Sequence, residues 1–169
     1  MDGSIDTSIL VGAAVTLGGW ILLMLTTERR PSTSLAYSVL MKAIPSIGFL
    51  VVAAAIDFEG ANWTQWVAIG LVLSALGDVL LVGAGTGPFV AGLGAFLLGH
   101  VAYAVAFVSR GVSWVWGAGA LIVVGAVAFA FARWLLPKVT DSLVRPVVAY
   151  IIVITFMVAT AAGSVGHAG

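Results

Sequence analysis

The stretch Ser74–Tyr103, SALGDVLLVGAGTGPFVAGLGAFLLGHVAY, carries the architecture of this chain in its pattern. It reads as two apolar runs joined by a Gly-rich turn at Gly83–Gly87, with Asp78 in the first run and His100 in the second. An ionisable side chain in hydrocarbon costs a few kcal/mol or more, so such groups are rare there and face a protein interior or a wet cavity. Asp78 stands among Leu73, Ala75, Leu76, Val79, Leu80 and Leu81, with no neutralising charge nearby in sequence. The stretch therefore predicts a membrane helical hairpin, with whatever this protein does placed near Asp78.

Composition extends that reading to the whole chain. Of 169 residues, 62% are hydrophobic and 8% charged, and the mean hydropathy is +1.18. Globular domains carry about 25% charged residues. Seven basic and seven acidic side chains could not cover the surface of a water-soluble fold of this size. The expected fold class is all-α, an integral membrane helix bundle forming one transmembrane domain over residues 1–169. The formal net charge is zero and no basic stripe exists, which argues against nucleic acid as a partner. Cysteine is absent, so disulfides, thiolate nucleophiles and cysteine metal sites are excluded. Asp2 and Asp6 precede the first apolar run, with no Lys or Arg before it. That lacks the positive segment of a cleavable signal, and the run is expected to be a retained span.

A span needs about 20 mostly apolar residues. Six stretches qualify, at roughly 8–25, 35–56, 64–82, 89–108, 114–136 and 146–162, with short polar connections between them. If the N-terminus is outside, the inner loops hold Arg29, Arg30, Arg133, Lys138 and Arg145, and the outer loops only Arg110. That asymmetry obeys the positive-inside rule and predicts an outside N-terminus. Trp63, Trp66, Trp114 and Trp116 then fall at the outer interface and Trp134 near the inner one, where indoles are favoured. The lipid bilayer itself is a partner on this reading, and a bacterial chain of this kind belongs in the plasma or inner membrane.

Within the spans, Lys42, Asp78, His100 and Tyr103 need explaining. Ser74 and Asp78 are four apart and share one side of the third helix. Phe89, Gly92, Phe96, Gly99, His100 and Tyr103 form a single stripe of helical period on the fourth. Asp78 is placed about four residues before the inner end of its span, and a rise of about 1.5 Å per residue brings Lys42, Asp78 and His100 to overlapping depths. Pro45, three residues after Lys42, predicts a kink in the second helix. Each group has a plainer explanation: Lys42 snorkelling to headgroups, Asp78 paired with Lys42, His100 bonding between helices, Tyr103 packing. Gly70, Ser74 and Gly77, with Gly92 and Gly99, read as small-residue packing faces. Two histidines and one membrane carboxylate fall short of a zinc ligand set, so no metal and no cofactor is expected. A Ser74-His100-Asp78 triad lacks the strand-turn-helix elbow that exposes such a serine.

Three blocks together resemble the YhhN-type lysoplasmalogenase family. They are Lys42-x-x-Pro45, then Gly70-Leu71-x-x-Ser74-x-x-Gly77-Asp78-x-Leu80-Leu81, then Phe89-x-x-Gly92-x-x-x-Phe96-x-x-x-His100-x-x-Tyr103. Pro146-Val147-x-x-x-Tyr150 and Met157 are similar to that family's sixth span. The resemblance implies a bundle of about eight helices that hydrolyses the vinyl-ether bond of lysoplasmalogens, releasing a fatty aldehyde and a glycerophospho-base. It implies acid–base work by two aspartates, the first being Asp78 and the second lying on a seventh span. The chain stops at Gly169, where that span would begin, so a C-terminally truncated or short member is expected. On this view Asp78 and His100 are the catalytic residues. Lys42, Ser74 and Tyr103 bind the lysophospholipid, and Arg29 and Arg30 attract its headgroup. Two other classes compete: a small transporter or proton relay lined by Lys42, Asp78 and His100, and a scaffold whose polar groups only fix packing.

Overall fold

The computed structural model describes residues 7–27, 46–51, 53 and 62–168. They are helical apart from short turns, with no strand among the described residues. The helices are α1 (Thr7–Thr27), α2 (residues 46–51 and 53), α3 (Asn62–Leu80), α4 (Thr86–Arg110), α5 (Trp114–Leu135) and α6 (Asp141–Ala168). Four of them, α3 to α6, are long and apolar enough to cross a membrane. At 1.5 Å per residue the 22 residues of α5 extend ~33 Å, against a hydrocarbon core of ~30 Å. The protein is an all-α membrane helix bundle. Of the predicted second span only residues 46–51 and 53 are described, and Lys42, Pro45, Arg29 and Arg30 lie outside the described residues.

Two boundaries differ from the sequence-based expectation. The third helix ends at Leu80, because Val82 N–H bonds Val79 O and Gly83 N–H bonds Leu80 O in a tightening turn. Asp78 consequently sits two residues from the helix end rather than four. The sixth helix begins at Asp141 and runs through Pro146. Asp141 in its first turn favours the positive N-terminal end of the helix dipole. Pro146 removes only one early backbone bond, which costs less than a break in mid-helix.

Packing follows the small residues. Antiparallel α3 and α4 are joined by a short turn whose Gly85 adopts φ +99°, a conformation that favours glycine. The second glycine of this kind, Gly111 at φ +109°, ends α4. α4 packs against α3 on one side and α6 on another, and α6 lies between α4 and α5. A Cβ on Gly77 would fall 2.7 Å from the Phe96 ring, and one on Gly92 would fall 3.2 Å from Gly77 O. Across α5 and α6, Ser113 N–H donates to Gly163 O at 3.0 Å, and a Cβ on Gly163 would meet Ser113 O at 3.1 Å. α2 rests on α1 in the same way, with Gly48 against Gly12 and Thr16. Among the described residues the buried apolar side chains are all alanines, whereas Val115, Ile122 and Val127 of α5 are 83%, 74% and 65% exposed. Lipid removes the hydrophobic drive between helices, so backbones close on small residues while large side chains face the acyl chains.

Candidate functional site

The α3–α4 seam sets the position of every polar group in the site. Gly70 has no Cβ, and the Tyr103 ring lies on the backbone left open there. Gly99 is matched to it, with Gly70 O and Ser74 Oγ about where a Cβ would touch, at 3.1 and 3.2 Å. Ser74 Oγ donates to Gly70 O at 2.8 Å and lies 3.4 Å from the Tyr103 hydroxyl. Since the single hydroxyl proton of Ser74 is committed to Gly70, Tyr103 is the donor in that longer contact.

His100 stands one turn before Tyr103 on α4, half-buried, its ring edge-on to Tyr103 with centroids 6.2 Å apart. On its other flank is Tyr150 of α6, with centroids 5.3 Å apart and planes at 72°. Nδ1 lies 2.6 Å from Phe96 O. A carbonyl only accepts, so Nδ1 carries a proton and Nε2 of the neutral ring keeps its lone pair.

Asp78 lies one turn from Ser74 toward the end of α3 and is half-buried. Ser46 of α2 is buried and donates from Oγ to Asp78 Oδ2 at 2.7 Å. Oδ1 makes no hydrogen bond with a described residue.

Four of the five sequence-predicted site residues thus have described positions. Ser74, Tyr103 and His100 form one contiguous group, and Asp78 stands about 6 Å further along α3 at the helical rise. No hydrogen bond joins Asp78 to His100: the first turns to α2 and the second to α6. Lys42 lies outside the described residues. Two residues escaped the sequence-based set, Ser46 and Tyr150. Ser46 had a signal, since it follows Lys42 by four residues, the spacing of one helix face. Tyr150 did too, as the phenol in an otherwise apolar run.

These features define a membrane helix bundle with a polar core on the α3–α4 hairpin, in which, among the described residues, Ser46 of α2 bonds Asp78 and Tyr150 of α6 flanks His100. The chain belongs to the YhhN family, whose model matches residues 37–168 and so takes in every residue of that core. No curated protein and no solved structure matches it.

Proposed function

We propose that this protein is a membrane-embedded ether hydrolase of the lysoplasmalogenase type, cleaving the vinyl-ether bond of a lysophospholipid to a fatty aldehyde and a glycerophospho-base. The observation that carries the reading is the setting of Asp78 in a chain of the YhhN family: Ser46 holds one carboxyl oxygen, and the other makes no hydrogen bond with a described residue. A vinyl ether hydrolyses by protonation of its β-carbon. Asp78 supplies that proton from Oδ1 while Ser46 fixes the carboxyl through Oδ2. The C=C electron pair forms the new C–H bond, and the adjacent oxygen shares the resulting charge as an oxocarbenium ion. Water adds to the α-carbon, the one that bears the ether oxygen, and yields its proton to His100 Nε2. The hemiacetal so formed collapses to aldehyde and alcohol, and the proton on His100 returns to the carboxylate through solvent or the core hydroxyls. Dividing acid and base roles between two groups in different surroundings is an established device.

Tyr103 and Ser74 line the core between the two and bind the glycerol part of the substrate. Lys42 precedes Ser46 by one helical turn in sequence and is assigned to the substrate phosphate. The lysophospholipid enters from the bilayer, in which the N-terminus faces outside, the orientation that the basic-loop asymmetry favours.

Purified protein given a lysoplasmalogen, with aldehyde followed through a coupled dehydrogenase, tests the reading. Asp78→Asn keeps the shape and still accepts from Ser46 but is no acid, so aldehyde release should fall by about 10²–10⁴-fold, the usual share of general acid catalysis. Near-normal release from folded Asp78→Asn protein would reject Asp78 as the acid. Proton flux in liposomes without aldehyde release would favour the proton-relay reading instead.

A further inference from the structure

A groove of about 500 Å³ runs between α5 and α6, away from the polar core. Its walls are apolar, with Leu121, Ala128 and Phe129 from one helix and Ile152 and Phe156 from the other. From Leu121 to Leu136 it follows α5 for about 22 Å at the helical rise, longer than the ~15 Å depth of one leaflet. That is room for an extended acyl chain.

One end of the groove is cationic. Arg133 lines it, the guanidinium carbon 5.8 Å from the Phe129 ring centroid. Arg145 begins the α6 stripe that continues as Val148, Ile152 and Thr155, all three lining the groove. Offsets of 0, 3, 7 and 10 place Arg145 on that same face. At the same end of the chain segment, though not lining the groove, Lys138 Nζ lies 3.4 Å from the Trp134 ring centroid, a cation and an indole arranged as at a headgroup interface. Asp141 is the one carboxylate between residues 133 and 145, against three cations. Acyl contact alone needs no cations, and a zwitterionic headgroup brings no net charge to meet them.

We propose that this groove binds an anionic phospholipid of the surrounding bilayer, with an acyl chain along α5 and α6 and the phosphate held by Arg133 and Arg145. The proposal is independent of the hydrolase reading, because no residue of the polar core takes part.

Phe129 lines the groove, and an indole placed there by Phe129→Trp reports on the site directly. The chain carrying Phe129→Trp, with its native tryptophans replaced by phenylalanine, is reconstituted in phosphatidylcholine vesicles containing dibrominated phosphatidylglycerol or dibrominated phosphatidylcholine. At roughly fivefold per basic residue near the surface, quenching should show a 5- to 25-fold preference for the anionic lipid. Arg133→Gln/Arg145→Gln should bring the ratio within about twofold of one, with the helical circular-dichroism spectrum unchanged. A parent ratio near one overturns the proposal, as does a preference that survives the double substitution. A Phe129→Trp indole left unquenched by both lipids overturns it too, since another helix or a second copy then covers the groove. If the single-tryptophan protein does not assemble, native mass spectrometry of the unmodified chain replaces it. Preferential retention of phosphatidylglycerol, lost in Arg133→Gln/Arg145→Gln, supports the site, and equal retention of both lipids refutes it.

Discussion

Adding one methyl group at Gly70 probes the seam on which the polar core depends. A Cβ there would fall 2.6 Å from Cδ1 and 2.8 Å from Cζ of Tyr103, whereas ordinary contact begins near 3.4 Å. Either the phenol swings away from Ser74 and His100 or α3 and α4 separate. Overpacking of a close-fitted site costs about 1–3 kcal/mol. Alanine also gains up to about 1 kcal/mol over glycine in helix propensity, which would mask part of that loss. Gly94→Ala is the control, because nothing lies within 4 Å of its Cβ and it gains the same propensity. In SDS unfolding followed by circular dichroism, Gly70→Ala should therefore be about 1–3 kcal/mol less stable than Gly94→Ala. Tyr103→Ala should relieve the clash, so the double variant should lose at least about 1 kcal/mol less than the sum of the single losses. Equal stability of Gly70→Ala and Gly94→Ala, or strict additivity with Tyr103→Ala, would refute the seam as drawn.

Three further outcomes follow from the same geometry. Ser46→Ala removes the donor to Asp78 Oδ2 and should lower stability by about 1–3 kcal/mol; Asp78→Asn, which still accepts from Ser46, should lose less, and the reverse order in SDS titration would contradict the bond. Gly163→Ala should loosen α5 from α6 by about 1–3 kcal/mol, its Cβ meeting Val112 and Ser113 O. Gly117→Ala, with its nearest neighbour at 3.5 Å, should be tolerated, and equal effects of the two would rule out that contact. The chain has no cysteine, so single-cysteine labelling is free of background. An impermeant maleimide on intact cells should modify Ser109→Cys and spare Thr140→Cys, both exposed positions, and the opposite pattern would invert the assigned orientation.

The membrane character, the helical hairpin at Ser74–Tyr103 and the faces that meet across it could all be read from the residues alone. Hydrocarbon makes these legible. It forces backbone bonds inside each helix, sets span length, and confines close approach to small residues, so Gly70, Ser74, Gly77, Gly92 and Gly99 announce the α3–α4 seam through their spacing alone. Helix ends were less legible, because Thr140-Asp141 can start a helix ahead of Pro146 and the polar run before that proline looked like loop. The partners of the ionisable groups came from the packing of helices distant in sequence. Asp78 finds Ser46, 32 residues away, and His100 finds Tyr150 on a helix that returns to lie between α4 and α5. Periodicity places a side chain on a face of its own helix but carries nothing about which helix that face will meet. In lipid that choice rests on close fit between surfaces, a property of two helices together that neither run of sequence holds alone.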